Sequence, residues 1–416
     1  MRLVKALVLS LPVVGLTAGV VALNAVVTPP AYAAEEKKVS SKVGKPLQEA
    51  MQLARSKDFK AATARLEEAR AAAKKGSFDE YKVNEIASYV AFQTGDTAAA
   101  VKALDTNLDS PEASAEDKKR ILDQLAKFEY QSKDFPNAIK YAQRYLKDVG
   151  QNVDMAVLVA QAYYVLKDYP QAITATQSLI RMANQAGQPE KKEWLDLLRS
   201  AQQLSGKDDD AAATLQILLA KYPSTEYWKD TFIIEQNKGR GSERKSLEIL
   251  RLKMLTGVLK DSEYVEMAEL SFASGFPGDA KMILEKGFAN KVLGVGPTKD
   301  RENRLLTKAQ TDSAADQKSL TSFEKEAIAA ASGDMDVKLG YAYATYGDYD
   351  KGIEAIKRGL KKGNLKSEEE AHILLGVTYY NAKKNADALA QFKAVPADSK
   401  LSSVAKLWIV YLNSKG

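Results

Sequence analysis

The sequence has no cysteine in 416 residues and only one histidine, His372. The first absence excludes disulfides, thiolate nucleophiles, cysteine-rich metal sites and lipid attachment at a lipobox cysteine. The second leaves His372 as the only residue on which a Ser-His-Asp arrangement could rest, and it removes multi-histidine zinc sites. Valine-rich alternating runs, the mark of β-strands, are few. Glycine and proline (24 and 12 residues) collect at junctions and largely avoid the interior of helical windows. The formal charge of +6 is spread over the whole chain as a mixed surface, which is not the footprint of a nucleic-acid-binding protein. Hydrophobic content of 45% and charged content of 27% are those of a soluble chain able to bury apolar faces.

What is present is helix, and the helices come in copies. Lys133-Asp134-Phe135-Pro136-Asn137-Ala138-Ile139 returns as Lys167-Asp168-Tyr169-Pro170-Gln171-Ala172-Ile173, 34 residues later. Looser copies begin at Lys57, Gly95 and Gly347. A polar turn, an aromatic residue and a small residue opening a new apolar helix form the elbow of a helix–turn–helix unit, and a period near 34 makes such units a solenoid. Ala62, Ala100, Ala138, Ala172, Ala211, Ser246, Ala280, Gly352 and Ala388 mark the small position of successive second helices. The long gap between Ala280 and Gly352 leaves room for one eroded pair, with Leu305, Leu306 and Ala309 on its first helix and Leu320, Phe323 and Ile328 on its second.

These residues resemble the tetratricopeptide repeat pattern over nearly all of the chain. The last copy, Leu375-Gly376, Tyr379, Ala388 and Phe392, fits best, and Leu339-Gly340, Tyr343, Gly352 and Ile356 follow closely. The fold class implied is all-α: a right-handed α-solenoid of nine to ten helix–turn–helix repeats closed by a C-terminal capping helix, residues 402–413. The resemblance also implies that first helices line a concave groove. At its groove positions stand Tyr89, Phe92, Tyr130, Tyr164, Phe272, Tyr341 and Tyr380, an aromatic ladder suited to a peptide or to sugar faces. A one-residue slip in register would place some of them in the core between repeats. The Lys and Asn clamp by which some family members grip carboxylate-terminated tails is missing, since those positions hold Tyr89, Lys127, Gln161, Tyr341 and Val377.

The first residues read as a targeting segment. Arg2 and Lys5 precede an apolar stretch from Ala6 to Val27, and Ala31-Tyr32-Ala33 forms a small–x–small cleavage site. The expectation is a signal peptide, residues 1–33, that takes the chain to the periplasm; retained, it would be a membrane anchor. Residues 34–46 read as a linker, 47–290 as N-terminal repeats, 291–335 as a degenerate repeat and hinge, and 336–416 as C-terminal repeats with the cap. A non-enzymatic envelope scaffold holding a protein or peptide in the groove is the first function expected. A polysaccharide-binding module is the alternative. Neither cofactor nor metal is expected.

Other motifs read as structural. Asp208-Asp209-Asp210 sits where carboxylates cap the second helix of its repeat. Gly294-Val295-Gly296-Pro297-Thr298-Lys299 lacks the strand and spacing of a phosphate loop. Lys238 to Lys245, with Arg240 and Arg244, reads as a solvated basic turn, with an anionic partner such as a membrane surface as the other reading. His372 reads as a helix-packing residue.

Overall fold

A computed structural model describes residues 37–238 and 241–414, so the expected signal peptide, residues 1–33, lies outside the described residues. Among the described residues there are 20 α-helices and no strand. The fold is an all-α solenoid of tetratricopeptide type, and its helices group into two compact units that divide between Glu190 and Lys191. No described helix is long and apolar enough to cross a membrane.

The first unit consists of four pairs. They are α1 (Ser41–Arg55) with α2 (Phe59–Ala72), α3 (Phe78–Gln93) with α4 (Thr97–Leu108), α5 (Ala115–Gln131) with α6 (Phe135–Asp148), and α7 (Val153–Val165) with α8 (Tyr169–Gln185). Helix α1 begins inside the expected linker, because Val43, Leu47, Ala50 and Ala54 give it a buried face from its first turn.

The recurring Lys-Asp or Gly-Asp elbow has a double cause. Lys57, Lys133 and Lys167 adopt left-handed φ of 63°, 64° and 61°, as Gly95 does at 80°. This lets the next amide reach back and close the preceding helix, as Asp134 N–H does on Glu129 O at 2.8 Å. The aspartate then caps the following helix: Asp58, Asp96, Asp134 and Asp168 accept from Ala61, Ala99, Asn137 and Gln171 amides. One dipeptide thus ends one helix and starts the next. The small residue four positions after each of these aspartates (Ala62, Ala100, Ala138 and Ala172) is fully buried at the helix crossing.

The second unit contains α9 (Lys192–Leu204) with α10 (Asp208–Lys221), α11 (Thr225–Asn237) with α12 (Glu243–Leu255), and α13 (Asp261–Ala273) with α14 (Pro277–Ala289). After a single helix, α15 (Lys299–Ala329), come α16 (Asp334–Thr345) with α17 (Tyr349–Lys362), α18 (Glu368–Asn381) with α19 (Asn385–Ala394), and α20 (Ser402–Asn413). The eroded pair expected at residues 291–335 is instead α15, one helix of 31 residues. Leu305, Leu306 and Ala309 of the first expected set pack with α13 and α14, and Leu320 and Phe323 of the second pack with α16, but Ile328 is 55% exposed and Ala327 takes the buried place beside it. Between them, residues 310–319 contain no glycine or proline to end the helix. Lys362 Nζ closes its C-terminus on the carbonyls of Ala327 and Ile328 at 2.7 and 3.0 Å.

Helix α20 does more than cover the last repeat. It packs on α19 and also on α10 and α12, and its Tyr411 meets Trp228 of α11 edge-on. The second unit therefore closes on itself.

Candidate interaction surface

In the first unit, α1 touches α3 and α5 touches α7 directly. First helices that approach one another in this way form the inner row of a helical array. Their polar side chains are knitted together by charge. Arg120 of α5 reaches Glu85 of α3 at 3.0 Å and Asp117 at 3.0 Å, and Lys82 completes the cluster 2.9 Å from Glu85. Burial works against ionising Asp117, but hydrogen bonds from Ser114 and Arg120 outweigh it and hold the carboxyl below the usual range. Farther along α5, Lys127 pairs with Asp123 at 2.8 Å.

Three of the expected groove aromatics stand on this row half-buried: Tyr89, Tyr130 and Tyr164. Tyr130 hydroxyl donates to Gln161 Oε1 of α7 at 3.4 Å, and its ring meets Phe135 edge-on at 5.3 Å. Tyr164 repeats that arrangement against Tyr169 at 5.7 Å. Phe92 differs, because its ring stacks on the buried Phe128 at 4.5 Å and belongs to the core between repeats.

The second unit presents no comparable open row at its remaining expected positions. Tyr341 of α16 is 1% exposed, and its hydroxyl lies 2.7 Å from Arg251 of α12. Tyr380 of α18 packs on Trp408 and Tyr411 of α20, with its hydroxyl 3.1 Å from that of Tyr411. Phe272 is half-buried in the cluster shared with α15, with Lys308 Nζ 4.9 Å above its ring. The ladder is thus interrupted, because the chain's own α12, α15 and α20 cover these three rings.

Helix α12 is buried on all sides from Leu247 through Lys253, and Arg244 in its first turn is buried as well. It barely packs on its sequence partner α11. Ser246, its residue at the small position, is only half-buried, whereas the other eight small positions are buried. Arg244, taken with its neighbours as a solvated basic turn, is 6% exposed and lies 2.8 Å from Glu370. Lys238 and Lys245 pair with Glu235 at 3.0 and 3.3 Å. Sequence reasoning missed this helix as a site element. Its signal was charge at Arg244, Glu248 and Arg251, the four- and three-residue spacing of one helical face.

Family models described as tetratricopeptide repeat match residues 124–189 and 337–401, and a second such model matches 197–225. The chain is a tetratricopeptide repeat protein. No protein of curated function matches it. Similar solved structures include a tetratricopeptide repeat protein from Parabacteroides merdae (11% identity, 65% of this chain and all of that one, TM-score 0.33). Another is the C-terminal part of a tetratricopeptide repeat-containing protein from Cytophaga hutchinsonii (14%, 68% and 98%, 0.26). A third is the TPR2AB domain of yeast Sti1 in a complex with pHSP90 (15%, 71% and 98%, 0.24). At such TM-scores these likenesses say nothing about function.

Tetratricopeptide repeats are protein-interaction scaffolds, typically non-catalytic, and the remaining motifs of this repeat protein have structural partners. His372 Nδ1 lies 3.0 Å from Gln391 Oε1 on the neighbouring helix. The three aspartates 208–210 fall in the first turn of α10, after the cap position held by Lys207, so they act through the helix dipole and not as side-chain caps. In the glycine loop, Gly294 amide and Thr298 hydroxyl both donate to Glu302, at 2.6 and 2.7 Å. An internal carboxylate already fills the place an anion would take.

Proposed function

We propose that this tetratricopeptide repeat protein is an exported, periplasmic scaffold that holds an extended segment of a partner protein along the inner row of α3, α5 and α7. One observation carries the reading: the row combines half-buried tyrosines with ion pairs and amide groups at regular spacing. Tyr89, Lys127 and Gln161 stand at one position of successive repeats there, and Tyr130 and Tyr164 at a second. Such a surface offers apolar contact and hydrogen bonds to a peptide backbone without demanding one strong charge. Stacking of sugar faces on the same rings is the alternative reading; Tyr130 and Tyr164 each meet a neighbouring ring, Phe135 and Tyr169, edge-on. Export is supported by Arg2, Lys5, the apolar stretch and Ala31-Tyr32-Ala33.

A photo-crosslinking residue at Gln161, compared with one at Lys147 on the exposed side of α6, tests the groove in intact cells. The expected result is a specific protein adduct from position 161 that disappears in the Tyr130→Ala/Tyr164→Ala variant. Equal adducts from both positions would refute the groove reading. A mature protein beginning at Ala34 would support export, and an intact cytoplasmic chain would overturn it.

A further inference from the structure

We infer that the inner wall of the second unit is a helix-binding site whose present occupant is α12 of the same chain, and that charge selects which helix fits. In this unit α14 touches α16 and α16 touches α18, while Tyr380 of α18 packs on Trp408 and Tyr411 of α20. Helices α16, α18 and α20 thus form a row equivalent to the inner row of the first unit. Helix α12 lies against this row and meets one side chain from each member. Arg251 reaches Tyr341 hydroxyl at 2.7 Å, Arg244 Nε reaches Glu370 at 2.8 Å, and Glu248 accepts from Trp408 Nε1 at 3.2 Å. Asp279 of α14 holds Arg251 from a fourth direction at 2.8 and 3.2 Å.

This is helix-in-groove recognition within one chain. Two features set α12 apart from an ordinary second helix of a repeat. Its packing on α11 is slight, and its small-position residue, Ser246, is not at a closed crossing. Its affinity for the wall also has a charged basis. Arg244, Glu248 and Arg251 are all buried, and Glu248 holds the two arginines in one charged stripe, 3.7 Å from Arg244 Nη1 and 3.3 Å from Arg251 Nε. A buried ionic seat adds little net stability over an apolar one, but it rejects a mismatched occupant strongly. The wall therefore fits an amphipathic helix with arginines seven residues apart and an acid four residues after the first. While α12 is seated, partners are confined to other surfaces.

The most accessible contact, Arg244 with Glu370, gives the test, since the Glu370 side chain is 38% exposed at the start of α18. Glu370→Arg in the full chain should accelerate hydrogen exchange of α12 and leave α17 unchanged, and Arg244→Glu in the same chain should restore protection. A labelled peptide of residues 241–257 carrying Arg244→Glu should bind the Glu370→Arg protein at least about tenfold more tightly than the unaltered peptide does. Unchanged α12 exchange, or equal or absent binding of both peptides, would overturn the proposal. Should Glu370→Arg fail to fold, Glu370→Gln serves as the second variant. Faster exchange confined to α12 and α20 supports the seat, and a uniform change across the unit refutes it. None of these measurements involves the first unit, so their failure leaves the proposed peptide row standing.

Discussion

Gly340→Ala should destabilise the second unit even though alanine is the better helix former. A Cβ at position 340 would lie 2.5 Å from Gly352 O, 2.5 Å from Ile356 Cγ1 and 2.8 Å from Ile356 N. Two of those atoms are backbone, so no rotamer change relieves the clash and α16 must move away from α17. Replacing glycine in a helix contributes about 1 kcal/mol in favour of the variant. Overpacking of a closed site costs about 1–3 kcal/mol, toward the upper end when backbone must shift. The expected net loss is about 1–2 kcal/mol. The assay is urea unfolding followed by tryptophan fluorescence, because Trp194, Trp228 and Trp408 all lie in the second unit. The control is Gly44→Ala in α1, where the nearest atom, Val39 Cγ1, is 3.8 Å away. That variant should raise the midpoint of the first unit, read by circular dichroism, by the equivalent of about 0.5–1 kcal/mol. A Gly340→Ala midpoint at or above wild type with an unchanged slope would refute the close-crossing argument.

Three further outcomes follow from the first unit. Lys133→Gly should stabilise it by about 0.5–1 kcal/mol in urea titration, since Lys133 holds a left-handed φ of 64° that costs a side chain and suits glycine. Ala172→Leu, at a fully buried crossing, should lower the urea midpoint by the equivalent of about 1–3 kcal/mol, and an unchanged midpoint would mean the repeat register is wrong. Burial first, then the neighbouring Asp134 and Asp105, raises the Glu129 carboxyl above 4.5, with Lys140 opposing. Its neutral form is thus favoured by folding, so ionisation costs stability above the raised value and nothing below the ordinary one. Glu129→Gln should therefore be more stable than wild type at pH 7, with the gain shrinking as pH falls toward 4.5 and absent below it. A gain independent of pH would rule this cause out.

Repeat boundaries were legible in the sequence wherever local chemistry sets them. The Lys-Asp and Gly-Asp elbows need only a left-handed residue followed by a side-chain cap, and both are properties of a few adjacent residues. The small positions were legible for the same reason, since a helix crossing tolerates little beyond alanine or glycine. Tyr89, Tyr130 and Tyr164 stand half-buried on first helices, and Phe92 illustrates the one-residue slip into the core.

The sequence by itself determined the helices, their elbows and the period at which they recur, because each depends on neighbours along the chain. Only the tertiary structure decided what covers the inner walls. Helix α15 runs unbroken through residues 310–319, where the expected pair would have turned, and the reason is local: no residue there ends a helix. The burial of Tyr341 and Arg244 and the half-burial of Tyr380 have no local reason. They come from Arg251, Glu370 and Trp408, which meet their partners, up to 160 positions away, only when α12 seats against the row of α16, α18 and α20.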